Sequence, residues 1–307
     1  MYLILAALAA MLWANSPFAE AYEAMISIEA IKGLAIFLFF LSLGIELRHE
    51  ITQGSLAKPR QAIVPIFAAI GGMLVPVAIY SLINQGLTSS VGWGVPMSTD
   101  VAFALAVLAI AGKFLPAPIR VFLMTVAVVD DSLTILMIAL FFSSTFHLLS
   151  VVSLAGVVIG LFLPRGQQMT GWLTPTVNYV ALPVFALFSA GVNIQGLGES
   201  FATSAITWGV IVAMVVGKPL GVLGTTWLVT KSGLGRLAAG IKWRDLLAIG
   251  SLFGMCFTVA LLMSELSFGN QQSEHATANL SVFIGSLSSA LLAITALQIR
   301  KRAYAKK

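Results

Sequence analysis

Met-Thr-Val-Ala-Val-Val-Asp-Asp-Ser-Leu-Thr-Ile-Leu, residues 124–136, sets two adjacent carboxylates, Asp130 and Asp131, inside an apolar run that extends over about 118–142. A run of that length spans a bilayer, because a spanning helix needs roughly 20 apolar residues. Each acid at that depth costs about 2.5–3.5 kcal/mol to insert on translocon scales. Acids retained against such a cost mark ion or proton pathways, and the rest of the chain is read around this pair.

The 307 residues are 59% hydrophobic and 9% charged, with mean hydropathy +0.98. Soluble domains carry about 25% charged residues, so this is the composition of a polytopic membrane protein. The single cysteine, Cys256, lies in an apolar run, which excludes a disulfide framework and reads as a small buried apolar residue. The net charge of +5 sits mostly in connections between apolar runs and does not point to nucleic acid. No low-complexity tract or second, soluble domain stands out, and residues 1–307 read as one transmembrane domain.

Ten spans are predicted, near 2–15, 31–47, 62–84, 91–112, 118–143, 147–164, 178–194, 205–229, 246–266 and 277–298. The first run has no basic flank before it and reads as a first helix rather than a signal-peptide core. Charge tests the count. Alternate connections hold Arg48, Lys58 and Arg60; Lys113 and Arg120; Arg165; Lys231, Arg236, Lys242 and Arg244; and the tail from Arg300 to Lys307. The others hold Glu20, Glu23, Glu29, Glu199, Glu265 and Glu274, with Lys32 the exception on that side. Lys/Arg excess marks cytoplasmic loops, so both termini are expected inside.

Asp100, Asp130, Asp131 and Lys218 fall at one depth in three spans, with Glu46 near the inner end of the second. Two spans also read as broken. Gly-Trp-Gly-Val-Pro-Met-Ser-Thr-Asp, residues 92–100, puts two glycines and Pro96 before an acid; Gly-Ser-Leu-Phe-Gly-Met-Cys-Phe-Thr, residues 250–258, is glycine-interrupted. Pro and Gly weaken a helix, and unwound backbone at membrane depth is tolerated only against protein or a wet cavity. Gly156/Gly160, Gly217/Gly221 and Gly250/Gly254 have the small-xxx-small spacing of close helix contacts. Each broken span is the middle of a triple, about 62–143 and about 205–298, and the two triples run in opposite directions. Interrupted spans in corresponding places of two inverted repeats point to a transport site at the midplane. The expected fold is therefore an all-α bundle with inverted-topology repeats and two broken, crossing helices.

These residues resemble the bacterial NhaA-type sodium/proton antiporters, which are among the transporters from which that rule was drawn. Phe40-Leu-Ser-Leu-Gly-Ile-Glu-Leu-Arg-His-Glu50 with Gln53-Gly-Ser-Leu-Ala57 is similar to the end of their second helix. Ser98-Thr-Asp-Val-Ala-Phe-Ala-Leu105 resembles their broken fourth helix, and Val128-Val-Asp-Asp131 their double-aspartate motif. Gly217-Lys-Pro-Leu-Gly221 and Phe257-Thr258 resemble their later repeat, so that the similarity runs in order over about 30–300. The resemblance implies that Asp131 is the main Na+ ligand and that Asp130 is its proton-exchanging partner, paired with Lys218. It implies that Asp100 and Lys218 offset helix-end dipoles, that Thr99 lends an oxygen, and that Glu46 and Glu50 form a cytoplasmic entrance with a pH response. It implies a homodimer in the bacterial cytoplasmic membrane, lipid as surroundings, Na+, Li+ and H+ as cargo, no cofactor and no enzymatic activity.

The chain departs from that pattern. The family has twelve spans, two of them between the double-aspartate helix and the segment similar to Leu154-Ala-Gly-Val-Val-Ile-Gly160, and here about a dozen residues make that connection. The histidine that often precedes this segment is absent, His49 stands where arginine is usual, and Cys256 replaces a glycine. The connection between the first two spans is short for the β-hairpin through which the family dimerises.

Adjacent helix residues point about 100° apart, so Asp130 and Asp131 cannot serve one spot equally. One can face a wet cavity while the other reaches a neighbouring helix. Oxygen ligands suit hard cations, and a proton competes for the same carboxylate. Three other readings stand beside exchange. An intramembrane aspartyl protease needs two acids from different helices sharing a proton, as Asp100 with Asp131 could supply. A sodium-coupled symporter needs an organic-substrate pocket, and a transport-silent paralogue would follow from the lost spans.

Overall fold

In lipid a backbone must satisfy its own amides, and helices do so within one segment. The computed structural model describes residues 2–26, 29–53, 59–141, 148–163, 166–192, 198–269 and 271–305, and every regular element among them is helical. In order these are α1 (Tyr2–Ala14), α2 (Ala19–Ile26), α3 (Glu29–Thr52) and α4 (Pro59–Ile83). A 3₁₀ segment (Thr88–Gly94) leads to α5 (Val101–Ala111), then α6 (Ala117–Phe141), α7 (Leu148–Phe162) and α8 (Gly166–Thr176). A π-helical turn (Val177–Ala181) joins α8 to α9 (Leu182–Ser189), followed by α10 (Gly198–Thr203). A second π turn (Ala213–Gly217) joins α11 (Ala205–Val212) to α12 (Lys218–Lys231). Last come α13 (Trp243–Ile249), a 3₁₀ segment (Gly250–Gly254), α14 (Thr258–Phe268) and α15 (Gln272–Ala305).

Six of these stretches are long and apolar enough to cross a bilayer unaided, and 243–254 with 258–268 make a seventh bent by 42°. The other three expected spans are represented by shorter apolar helices, Leu5–Ala14, Val101–Ala111 and Val151–Phe162. The second of these is short because its span is broken before residue 101. Arg165 and the connection at 142–147, where the resemblance implies two fewer spans, lie outside the described residues, as do residues 54–57 of the Gln53–Ala57 motif.

Small residues bring the long helices together. A Cβ on Gly44 of α3 would collide with the Val157 carbonyl of α7, and one on Gly160 with the Leu41 carbonyl. Gly71 of α4 and Gly221 of α12 meet in the same way. Without a hydrophobic force between helices in lipid, such backbone approach supplies the packing.

Each π turn is followed by one capping residue and then proline. The Leu182 amide reaches back to the Val177 carbonyl and the Lys218 amide to that of Ala213, ahead of Pro183 and Pro219. Proline has no amide to donate and its ring crowds the carbonyl four residues back, which a widened turn relieves. The second turn is capped by Lys218 and so sets where that ammonium points.

Candidate functional site

The two breaks meet. Residues 98–100 and 255–257 leave the helical conformation, and Asp100 and Met255 are extended, with φ/ψ of −83°/101° and −83°/103°. The Asp100 amide donates to the Met255 carbonyl (2.7 Å), and the Thr99 hydroxyl donates to the Phe253 carbonyl (2.9 Å). Amides and carbonyls that the breaks release are thus answered by the opposite break, as a low-dielectric interior requires.

Two charges sit on the four half-helix ends. The Asp100 carboxylate caps α5, accepting from the Phe103 amide (3.2 Å), and accepts from the Thr258 hydroxyl (3.0 Å) at the start of α14. It therefore lies between two helix N-termini, where the dipoles favour negative charge. Lys218 takes the other sign. Its ammonium donates to the Met97 carbonyl beyond the first 3₁₀ segment, to Thr99 Oγ1 (3.1 Å) and to Asp130 Oδ2 (2.8 Å). An ammonium has three protons, and all three are used.

Asp130 and Asp131 part company. Asp130 is buried against Lys218, its Oδ1 enclosed without a well-formed hydrogen bond beside Thr99. Asp131 turns the other way. Its Oδ1 accepts from the Ser98 hydroxyl (3.1 Å), and its side chain lines a cavity of about 570 Å³ that Asp130 does not touch. Ser98, Thr99, Asp100, Cys256 and Thr258 from the two breaks line the same cavity. Its other end is formed by Glu46, His49 and Glu50 in the last turns of α3, where His49 is exposed and both acids are half-buried.

Every site residue named from the sequence therefore falls on this cavity or directly behind it: Asp131, Asp100, Thr99, Glu46 and Glu50 in the wall, Asp130 and Lys218 behind. Three contributions escaped sequence reasoning. Ser98 was quoted within a motif but given no contact. Thr170 and Thr174 of α8 and Asn178 of the π turn after it add polar groups to the wall, visible only once the helices are packed. Asp245, fully buried at the start of α13, is held by Arg300 Nε (2.5 Å) and the Tyr304 hydroxyl (2.9 Å). It follows Arg244 in the chain and passes for a loop residue.

Among the described residues no group of three or more His, Cys, Asp or Glu side chains converges. An ion at this end of the cavity would find the Asp131 and Asp100 carboxylates with hydroxyl, carbonyl or water oxygens, a donor set for a hard cation rather than a transition metal.

Comparison with known proteins bears on what moves through it. The family described as Na+/H+ antiporter 1 matches residues 1–171 and 152–297. The Na(+)/H(+) antiporter NhaA of Frankia casuarinae is 36% identical over 376 aligned positions, covering 98% of this chain and 85% of that protein. The proteins of the same name from Arthrobacter sp. (strain FB24) and Mycolicibacterium smegmatis are 34% and 36% identical, each over 98% of this chain and over 83% and 85% of their own lengths. An alignment of 376 positions exceeds the 307 residues available, so the relatives carry sequence that this chain lacks. With the two family matches spanning nearly its whole length, the chain, a multi-pass membrane protein, belongs to the Na+/H+ antiporter family of the NhaA proteins.

Proposed function

We propose that this protein exchanges Na+ or Li+ for protons across the bacterial cytoplasmic membrane, and that cation and proton compete for Asp131. One observation carries the assignment: of two neighbouring carboxylates, Asp131 faces the cavity and Asp130 is neutralised from behind by Lys218. A loaded site, whether with Na+ or with protons, presents little net charge to the low-dielectric barrier, and an empty Asp131 carboxylate presents a full one. Only loaded states then switch sides, and exchange follows. Glu46 and Glu50 concentrate cations at the cavity mouth and are the candidates for a pH response. Residues 62–143 and 205–298 act as inverted repeats about the crossing. In this reading the mouth and both termini face the cytoplasm, supported by the basic connections on that side, and a homodimer in the lipid bilayer is the assembly the family suggests. The chemistry asks for no covalent step and no cofactor.

The test is Na+- or Li+-driven proton movement in proteoliposomes, read by a pH dye. Asp131→Asn keeps the side-chain shape and should abolish it while gel filtration and melting behaviour stay intact. Full exchange in that variant would remove the assignment. No exchange in the unaltered chain would favour a transport-silent relative, the reading that the missing stretch of sequence supports.

A further inference from the structure

Lys32 breaks the charge pattern of its side of the membrane, and its surroundings give the reason. Its ammonium, in the first turns of α3, is ion-paired with Glu265 near the end of α14, their side chains 11% and 27% exposed. Below the pair, about one turn along each helix, Ile36 and Leu262 join Phe40 and Phe185 around a void of about 10 Å³. That is the lower limit for one water, and the only polar lining group, the Thr258 hydroxyl, is already engaged with Asp100. The layer is dry. Phe39, Leu182, Thr258 and Val259 line both this void and the large cavity, so they form the partition between the carboxylate site and the opposite end of the bundle.

α14 links the two. Its first residue, Thr258, donates to Asp100, and seven residues on, about 10 Å along the axis, Glu265 holds Lys32. His275 at the start of α15, in contact with Asn279, stands beside the pair. A pair at this depth gives back in attraction little more than it loses in desolvation, so water entering beside it can part it at modest cost.

We infer that Lys32 and Glu265 are positioning residues forming a latch that holds α14 against α3 and keeps the dry layer closed, and that the ion leaves on the side opposite Glu46 and Glu50 only when the latch parts. The inference rests on the exchange reading above and names the gate on the other side of the same site.

The test joins the two helices and, separately, loosens them. In the variant Lys32→Cys/Glu265→Cys, a short bis-methanethiosulfonate cross-linker, each arm forming a disulfide with one cysteine as sulfinate leaves, should lower Na+/H+ exchange about tenfold or more, because gating then limits turnover. Reductant should restore it, and Na+ binding should persist while bridged. The parent protein, whose Cys256 is buried, controls for the reagent. In the second arm Ile36→Cys reports on the dry layer: an impermeant thiol reagent should modify it several-fold faster when Glu265→Gln is added. If Glu265→Gln alone does not fold, Lys32→Gln/Glu265→Gln leaves no unpaired charge and takes its place. Exchange at the parent rate in the bridged protein overturns the latch. If the unbridged chain exchanges nothing, the labelling arm decides, and an unchanged Ile36→Cys rate overturns it.

Discussion

The two faces of α6 at Asp130 and Asp131 are built from one dipeptide and do opposite things. On one face Asp130 is enclosed with Lys218 and Thr99, and the ammonium has no proton left to offer. On the other, Asp131 touches Ser98 and the wall of a cavity. The helix makes the difference: a rotation of about 100° between neighbours separates a carboxylate that serves the scaffold from one that can serve a ligand. Adjacency in sequence is here a device for keeping two charges at one depth in two environments.

The sharpest way to break the comparison is to remove each charge in turn and measure melting. Asp130→Asn strands a buried ammonium and should cost about 3–5 kcal/mol. Asp131→Asn removes a buried charge that makes no direct ion pair among the described residues and should leave the melting temperature unchanged or raised. Equal losses in both would erase the distinction. The double variant Asp130→Asn/Lys218→Met should recover most of the lost stability, since a buried pair replaced by apolar or neutral groups is often close to neutral, and it should still bind Na+ at Asp131.

The next effect is on affinity. Under the proposed assignment, protonation of Asp131 removes the charge that binds Na+, so apparent Na+ affinity should fall as pH falls. Below the pH at which the site takes its proton, the loss should be about tenfold per pH unit for each proton displaced. Equilibrium Na+ binding across a pH series checks this, and a flat profile would place the competing proton elsewhere. Asp130→Asn should keep the slope.

The smallest effect belongs to the crossing. Thr258→Val removes one hydrogen bond to Asp100 (3.0 Å) without changing side-chain shape. It should cost about 1.5–3 kcal/mol, as expected for a bond to a charged group, and show as a lower melting temperature. A neutral result would mean that the helix-end amides alone hold Asp100.

Much of the architecture was legible in the sequence because lipid forbids alternatives. An apolar run must be a helix, and a midplane acid beside Pro96 and two glycines must sit where the helix is open. The nearness of Lys218 to a carboxylate was legible for the same reason. What the sequence withheld depends on which helix neighbours which. Asp245 reads as a loop residue until α15 brings Arg300 and Tyr304 to it. Lys32 reads as an exception until α14 supplies Glu265. The π turn before Pro219, which aims Lys218, has no pattern of its own beyond a lysine followed by proline.

The glycine contact between α3 and α7 has a mechanical consequence. Gly44, Gly156 and Gly160 join the helices along residues 37–45, midway between Lys32 and the acids at 46 and 50. The two helices are joined into one stiff unit near the middle of α3, whose one end reaches the cavity mouth and whose other end carries Lys32 of the far-side ion pair. From residue 41 each of these ends is about 13 Å away. A tilt of about 10° would carry the two ends roughly 2 Å in opposite directions. A displacement of either end of α3 would therefore be carried along the joined helices rather than absorbed between them.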